Sequence, residues 1–380
     1  MSVGARLARK LSLGIATAAV ASFIALACED DPHRRTSPEQ ALEASGGACE
    51  AAPGKLPEAT CDNSEKVCTG SGGCTIDEAR CGSASTCLPI GDNKSKDVLD
   101  FRIRRLNIAA PAALAADFIQ NTVVTLNIDM NEKSCGEVGK GLFSWLLRVD
   151  KSSNTLITGG APPPTDAFGK GYCFANFELG ANKVEPLHTK IEFSGNTFRS
   201  LEKAPLKIPI FLSPEVASVI LLPLTDVIIE NVTISDDGNC IGGFNPTALD
   251  PACFDDHSLC SKWNTSGSLG GYITLEEADS VLIRDIGNKS LCSFLAAETA
   301  LKCPRDANGK IVFQGDFCSV DKQPGGCGDS VWLAATFAAS AAKIFDGQGT
   351  AGCSGESTRT DAGADAGDTK DAGSDAGDGG

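Results

Sequence analysis

The stretch LDPACFDDHSLC, Leu249–Cys260, gathers the side chains best suited to chemistry: Asp255, Asp256 and His257 lie between Cys253 and Cys260, with Asp250 close by. Two carboxylates and an imidazole could hold a metal or act as acid and base. Weighed against this is a plainer reading, a polar loop displayed between two disulfide cysteines. The chain has three His, and nothing in its sequence brings a second one near His257. His188 falls on the polar face of a strand with Lys190 and Glu192, and His33 lies in a polar N-terminal stretch. There is no G-x-S-x-G motif to present a serine to either imidazole. SDDGNC (Ser235–Cys240) has the Asp-Gly content of a calcium loop without its alternating ligands, and reads as a turn. TSGSLGGY (Thr265–Tyr272) is Gly-rich but lacks the Lys of a phosphate cradle. It reads as a loop where two chain segments approach closely. No metal and no cofactor is expected.

The cysteines carry the clearest signal. There are 17, and no C-x-x-C pair occurs, so zinc ribbons and thioredoxin-type redox sites are disfavoured. Arg6, Arg9 and Lys10 precede an uncharged, apolar stretch from Leu11 to Ala27, the pattern of a secretory signal peptide over residues 1–27. Two cleavage readings compete. Ala25-Leu26-Ala27 is an A-x-A peptidase site, which leaves Cys28 as a thiol or a disulfide partner. Leu26-Ala27-Cys28 also resembles the bacterial lipobox, with Ala25 where that motif usually has Leu; Cys28 would then be acylated.

Arithmetic favours the lipobox. Export implies an oxidising compartment, in which an odd number of cysteines leaves one unpaired within the chain. Setting Cys28 aside leaves sixteen, enough for eight bridges: Cys49, Cys61, Cys68, Cys74, Cys81, Cys87, Cys135, Cys173, Cys240, Cys253, Cys260, Cys292, Cys303, Cys318, Cys327 and Cys353. Residues 28–47 are polar and read as a flexible tether.

Composition excludes some partners. The net charge of −16 disfavours nucleic acid and anionic lipid surfaces. Aromatics make up 6%, which weakens any reading built on aromatic sugar platforms.

The supporting elements follow from spacing. Residues 48–90 hold six cysteines with few large apolar residues between them, a segment too poor in core to stabilise itself by burial. Three internal bridges, worth about 2–4 kcal/mol each, would make it a small disulfide-rich module. Residues 97–354 alternate apolar and polar: Leu99/Phe101/Ile103, Val124/Leu126/Ile128/Met130, Phe143/Trp145/Leu147/Val149, Leu187/Ile191/Phe193 and Leu206/Ile208/Ile210/Leu212. Period two means strands with one buried face. Pro209 cannot donate to a ladder, which puts its strand at an edge. VDKSSNTL (Val149–Leu156) reads as a hairpin loop. Helices are expected over Pro111–Ile119 and over Ala-rich Val331–Phe345, although the latter also fits a strand. The fold class is therefore mainly β, an antiparallel sandwich or barrel-like body with minor helices, preceded by the small disulfide-rich module. Residues 355–380, with four Asp-Ala-Gly units, hold nothing to bury and read as a disordered tail.

Anchor cysteine, Cys-rich segment, disulfide-laced body and Asp-Ala-Gly tail together resemble predicted surface lipoproteins of myxobacteria. The resemblance implies an outer-membrane location on the periplasmic or surface face, and it carries no activity and no functional residue with it. Two functions stay open: a lipid-anchored envelope protein that binds a partner, a glycan or another surface, and an anchored hydrolase acting on a polymer. Scarce His and the absence of a nucleophile motif favour the first.

Overall fold

The computed structural model describes residues 49, 51–61, 74–117, 119–180, 182–211, 219–249, 251–253, 261–283 and 287–349. The signal, tether and tail stretches, with Cys28, Cys68, Cys260, Cys353, Asp255, Asp256 and His257, lie outside these residues.

Ten antiparallel strands form one long sheet. In chain order they are β1 (Val98–Ala110), β2 (Ser144–Asp150), β3 (Thr155–Ala161), β4 (Leu187–Ser194), β5 (Thr197–Ser200), β6 (Ala204–Phe211), β7 (Val219–Glu230), β8 (Val232–Thr233), β9 (Ser268–Thr274) and β10 (Ser330–Ala341). Their spatial order is β6-β7-β9-β10-β1-β2-β3-β4-β5-β8. The expected mainly β, antiparallel architecture is what forms. Strand β6, which carries Pro209, is an end strand that pairs with β7 alone. The sheet curls until its ends meet: Ile229 N donates to Ser200 Oγ at 3.0 Å. A Cβ on Gly160 of β3 would lie 2.6 Å from the Pro209 ring, so glycine is what lets these strands approach. The main core fills the curl, with Phe101, Ile103, Trp145, Leu147, Phe198, Ile208, Ile229 and Phe337 among its buried residues.

Four expectations about elements are corrected. Val331–Phe345 is not a helix. Residues Ser330–Ala341 are strand β10, buried along its whole length between β9 and β1. Alanine favours helix in isolation, but both faces of this strand are covered, and small side chains fit under the covering chain. Phe337 faces the main core and Trp332 the opposite side. Val124–Met130 is not a strand: Ile119–Thr125 forms a wide helical turn that continues through Leu126–Ile128 and buries Ile119, Val124 and Ile128. The expected helix at Pro111–Ile119 shrinks to Ala112–Ala115. Gln120 explains the wide turn, since its amide accepts from Ile108 N at 3.0 Å and donates to Leu106 O at 2.7 Å, satisfying β1 beyond the end of β2. Ser268–Tyr272 is strand rather than loop, although the close approach was real: a Cβ on Gly270 would meet Leu56 at 2.6 Å.

The Cys-rich segment is not a self-contained knob. Cys49–Cys61 is local, but Cys74 bonds Cys253, Cys81 bonds Cys135 and Cys87 bonds Cys240. Too poor in apolar residues to make its own core, the segment shares one with the body, packing Cys81, Cys87 and Leu88 with Phe244 and Trp263. It lies along the outer face of the sheet, where Ile90 N and Gly91 N both donate to Ala341 O at 2.9 Å and Trp332 Nε1 donates to Lys55 O at 2.8 Å. All thirteen described cysteines are disulfide-bonded, including Cys292 to Cys303 and Cys318 to Cys327.

Cys87–Cys240 closes a loop with a sequence separation of 153 residues, shortened in effect by the neighbouring bridges. The double replacement Cys87→Ser/Cys240→Ser is therefore expected to cost about 3 kcal/mol, read from urea unfolding of the oxidised protein. Titration of denatured, unreduced protein should show no thiol from the thirteen described cysteines.

Candidate functional site

A polar cleft of about 350 Å³ opens at one end of the sheet. Because β1, β2, β4, β5 and β8 alternate in direction, four of their connections come together there. They are the segment before β1 (Asn93, Ser95), the β2–β3 hairpin (Lys151, Asn154), the β4–β5 hairpin (Gly195, Asn196) and the turn after β8 (Ser235–Gly238). Leu99, Phe193 and Ile234 form an apolar floor between them. Phe193 is braced from behind by Phe198, ring centroids 5.7 Å apart.

Each wall is fixed by local chemistry. Asp150 accepts from the Ser152 backbone at 2.9 Å and hydroxyl at 2.6 Å, and from Ser153 N at 3.1 Å, which sets the tight loop before Thr155. Asn154, at φ +51°, takes the left-handed conformation that asparagine tolerates best after glycine. Asp237 accepts from the Ser235 hydroxyl at 2.5 Å and from Asn239 N at 3.1 Å, closing the turn expected for SDDGNC. The Ser235 hydroxyl bond, with those from Asn239, holds the Asp237 carboxyl below its ordinary range against a smaller opposing effect of burial. Asn196 Nδ2 donates to Asp236 Oδ1 at 2.7 Å, joining two walls.

Asn93 is the hub. Its buried amide donates to Asp100 O and Gly238 O, both at 3.0 Å, and accepts from Asp100 N at 3.2 Å; its backbone N donates to Asn239 Oδ1 at 2.7 Å. Asn93 begins an N-x-Ser sequon, but its amide nitrogen is committed to the fold.

The cleft holds Asp236, Asp237 and Lys151 among neutral amides and hydroxyls, a slightly acidic, water-wetted surface of mixed donors and acceptors. Among its described lining residues there is no imidazole: His188 is exposed on β4, as its strand position implied, and His257 lies outside the described residues. Both carboxylates are tied to partners in or beside their own turn. Among the described residues, two groupings elsewhere have metal-ligand proximity, Asp279 with Cys292 and Cys303, and Asp329 with Cys318 and Cys327. In each the sulfurs are already joined as a disulfide, which removes the thiolates a metal needs. The sequence marked Ser235–Cys240 and Val149–Leu156 as turns. Their convergence with Asn93 and Asn196 had no local signal, because it depends on strand order.

No protein-family model, curated protein or solved structure matches the chain.

Two outcomes test this geometry. Asn93→Ala leaves the Asp100 amide and the Gly238 carbonyl without their buried partner, so a loss of about 2–3 kcal/mol is expected in urea unfolding. The second concerns pH. Hydrogen bonds, from the Ser152 hydroxyl first and then from Ser153, hold Asp150 at about 2. Its folded value lies below the unfolded one, so the carboxylate supports the hairpin above about pH 4. That support fades as pH falls through the folded value. A carboxyl NMR titration should show a midpoint near 2 that moves toward about 4 in Ser152→Ala.

Proposed function

We propose that this is an exported envelope protein, lipid-anchored through Cys28, that binds a short saccharide in the Asn93–Asp237 cleft without transforming it. The observation carrying the proposal is the cleft itself: amides, hydroxyls and carboxylates from four turns surround an apolar floor with one aromatic edge. Sugars offer that combination, hydroxyls that donate and accept around a less polar ring face, and the volume is at the small end of ligand pockets. Recognition here would rest on Asn154, Asn196 and Asp236 rather than on stacked aromatics, in keeping with the 6% aromatic content. The two aspartates against one lysine make phosphate-rich ligands poor candidates. A hydrolytic reading draws no support from the described residues of the cleft, whose carboxylates are held by hydrogen bonds and whose lining includes no imidazole.

Location has its own support. Thirteen disulfide-bonded cysteines suit an oxidising compartment, and the odd total of 17 singles out one cysteine, for which Cys28 follows the apolar leader directly. Two or more acyl chains would make attachment stable. The protein would then stand off the outer membrane on its polar tether.

A panel of neutral oligosaccharides titrated by calorimetry tests the cleft. A binder should emerge, and Asp236→Ala with Asn196→Ala should weaken it at least about tenfold, the loss of roughly 1.4 kcal/mol. Binding that ignores both substitutions would place the ligand elsewhere. Labelling with a fatty-acid probe tests the anchor. Cys28→Ser should abolish labelling and release soluble protein, whereas an unmodified Cys28 at the mature N-terminus would exclude it.

A further inference from the structure

Outside the cleft, the outer face of β1 covers a dry pocket of charge. Lys262 and Asp129 form an ion pair there with side chains 2% and 7% exposed. Among the described residues this is the lysine–carboxylate pair with both partners buried; Lys322–Asp226 and Lys183–Glu185 are open to solvent. Asp129 uses Oδ2 toward Lys262 Nζ, while its Oδ1, equally buried, finds no hydrogen-bond partner among the described residues. A carboxylate oxygen left unpaired in such a place is costly.

Hydrogen bonds also fix the backbone on both sides of the pair. Asp129 N donates to Thr125 O at 2.8 Å, and its own carbonyl accepts from Gly141 N at 2.7 Å. Next to it, Met130 N donates to the buried Glu137 carboxylate at 2.7 Å. Lys262 Nζ is steadied by Gly136 O at 3.3 Å, and Lys262 O accepts from Asn245 N at 2.8 Å. The following residue, Trp263, is fully buried against Phe244 and beneath the Arg104 guanidinium, 4.8 Å away.

We propose that Lys262 and Asp129 condense spontaneously into an intramolecular amide, a covalent cross-link between the wide helical turn after β1 and the segment before β9. The step balances without a co-reactant: a bond forms between Lys262 Nζ and Asp129 Cγ, one Cγ–O bond breaks, and the departing oxygen leaves as water with two protons from the ammonium. Nothing is oxidised or reduced. Fixed contact supplies the high effective concentration that amide formation needs, and exclusion of solvent protects the product from hydrolysis. Loss of both charges removes the penalty of a buried ion pair and of the unpaired oxygen. Arg104 belongs to the same dry pocket, its guanidinium 4.8 Å from the ring of Trp263, the residue next to Lys262.

Mass spectrometry of the full secreted chain, reduced and alkylated, is decisive. The expected mass is one water below that calculated for the mature sequence with its alkylated cysteines and the acyl groups on Cys28, and a trypsin digest should hold a branched peptide joining Lys262 to Asp129, with no cleavage after residue 262. Lys262→Arg keeps the buried charge pair without the nucleophilic amine, so it should return the full mass while preserving the fold. A wild-type chain of full mass with a linear peptide ending at Lys262 would overturn the proposal. So would loss of one water that persists in Lys262→Arg.

Discussion

Strand β1 carries Arg102 and Arg104 on the side of the sheet that faces away from the main core, and both are fully buried. With Lys262 they place three cations against two carboxylates, Asp129 and Glu137, where water does not reach. Burial pushes the Arg104 guanidinium down to about 9, with Arg102 adding to the effect, so it is still charged at neutral pH and must be partnered. The structure answers with an Arg104–Glu137 ion pair, bonds from Arg104 to Leu88 O at 3.0 Å and Ser340 Oγ at 2.7 Å, and the Trp263 ring. Arg102 is met by backbone carbonyls, Ser144 Oγ at 3.3 Å and the Tyr172 ring, 5.5 Å from its centre. Removing one partner of such a buried pair costs about 3–5 kcal/mol, because the other charge stays behind.

That requirement explains why the cysteine-rich segment belongs to the body. Leu88 supplies one of the carbonyls Arg104 needs, and it sits at φ +48°, a conformation a buried leucine adopts only when its surroundings impose it. Cys87–Cys240 bonds the adjacent residue to the sheet and Cys81–Cys135 ties the same segment to the turn bearing Glu137. A segment this poor in apolar side chains would not stay over a charged face by burial alone. Disulfides hold it there, and the polar interior is kept dry as a consequence.

The opposite requirement governs the cleft. Its polar groups face water and need only orientation, which the strand ends provide: each wall residue lies within a few positions of a ladder hydrogen bond. Asn93 couples the two regimes. It is buried, but the groups it satisfies belong to the start of β1 and to the Ser235–Gly238 turn, so the cleft is anchored to the strand that carries the buried arginines. Turns set above a rigid sheet leave the backbone free where the cleft is built.

Strand type and the Pro209 edge were legible in the sequence because both are local: alternation marks a pleated surface, and proline cannot enter a ladder from both sides. Disulfide bonding rather than metal binding was legible from cysteine number and spacing. Whether a face is wet or dry was not. Leu99, Phe101 and Ile103 alternate with Asp100, Arg102 and Arg104 as they would on a half-solvated strand, and only the chain folded over that face makes the arginines interior. The same coverage turned an alanine-rich, helix-favouring stretch into the central strand β10, since a strand buried on both sides loses the period that identifies it. Bridges between residues 74–87 and 135–253, and the meeting of Asn93, Asn154, Asn196 and Asp236, follow from strand order alone. Pairings across such separations leave no trace in local composition. They are decided when the sheet curls and brings its loops together.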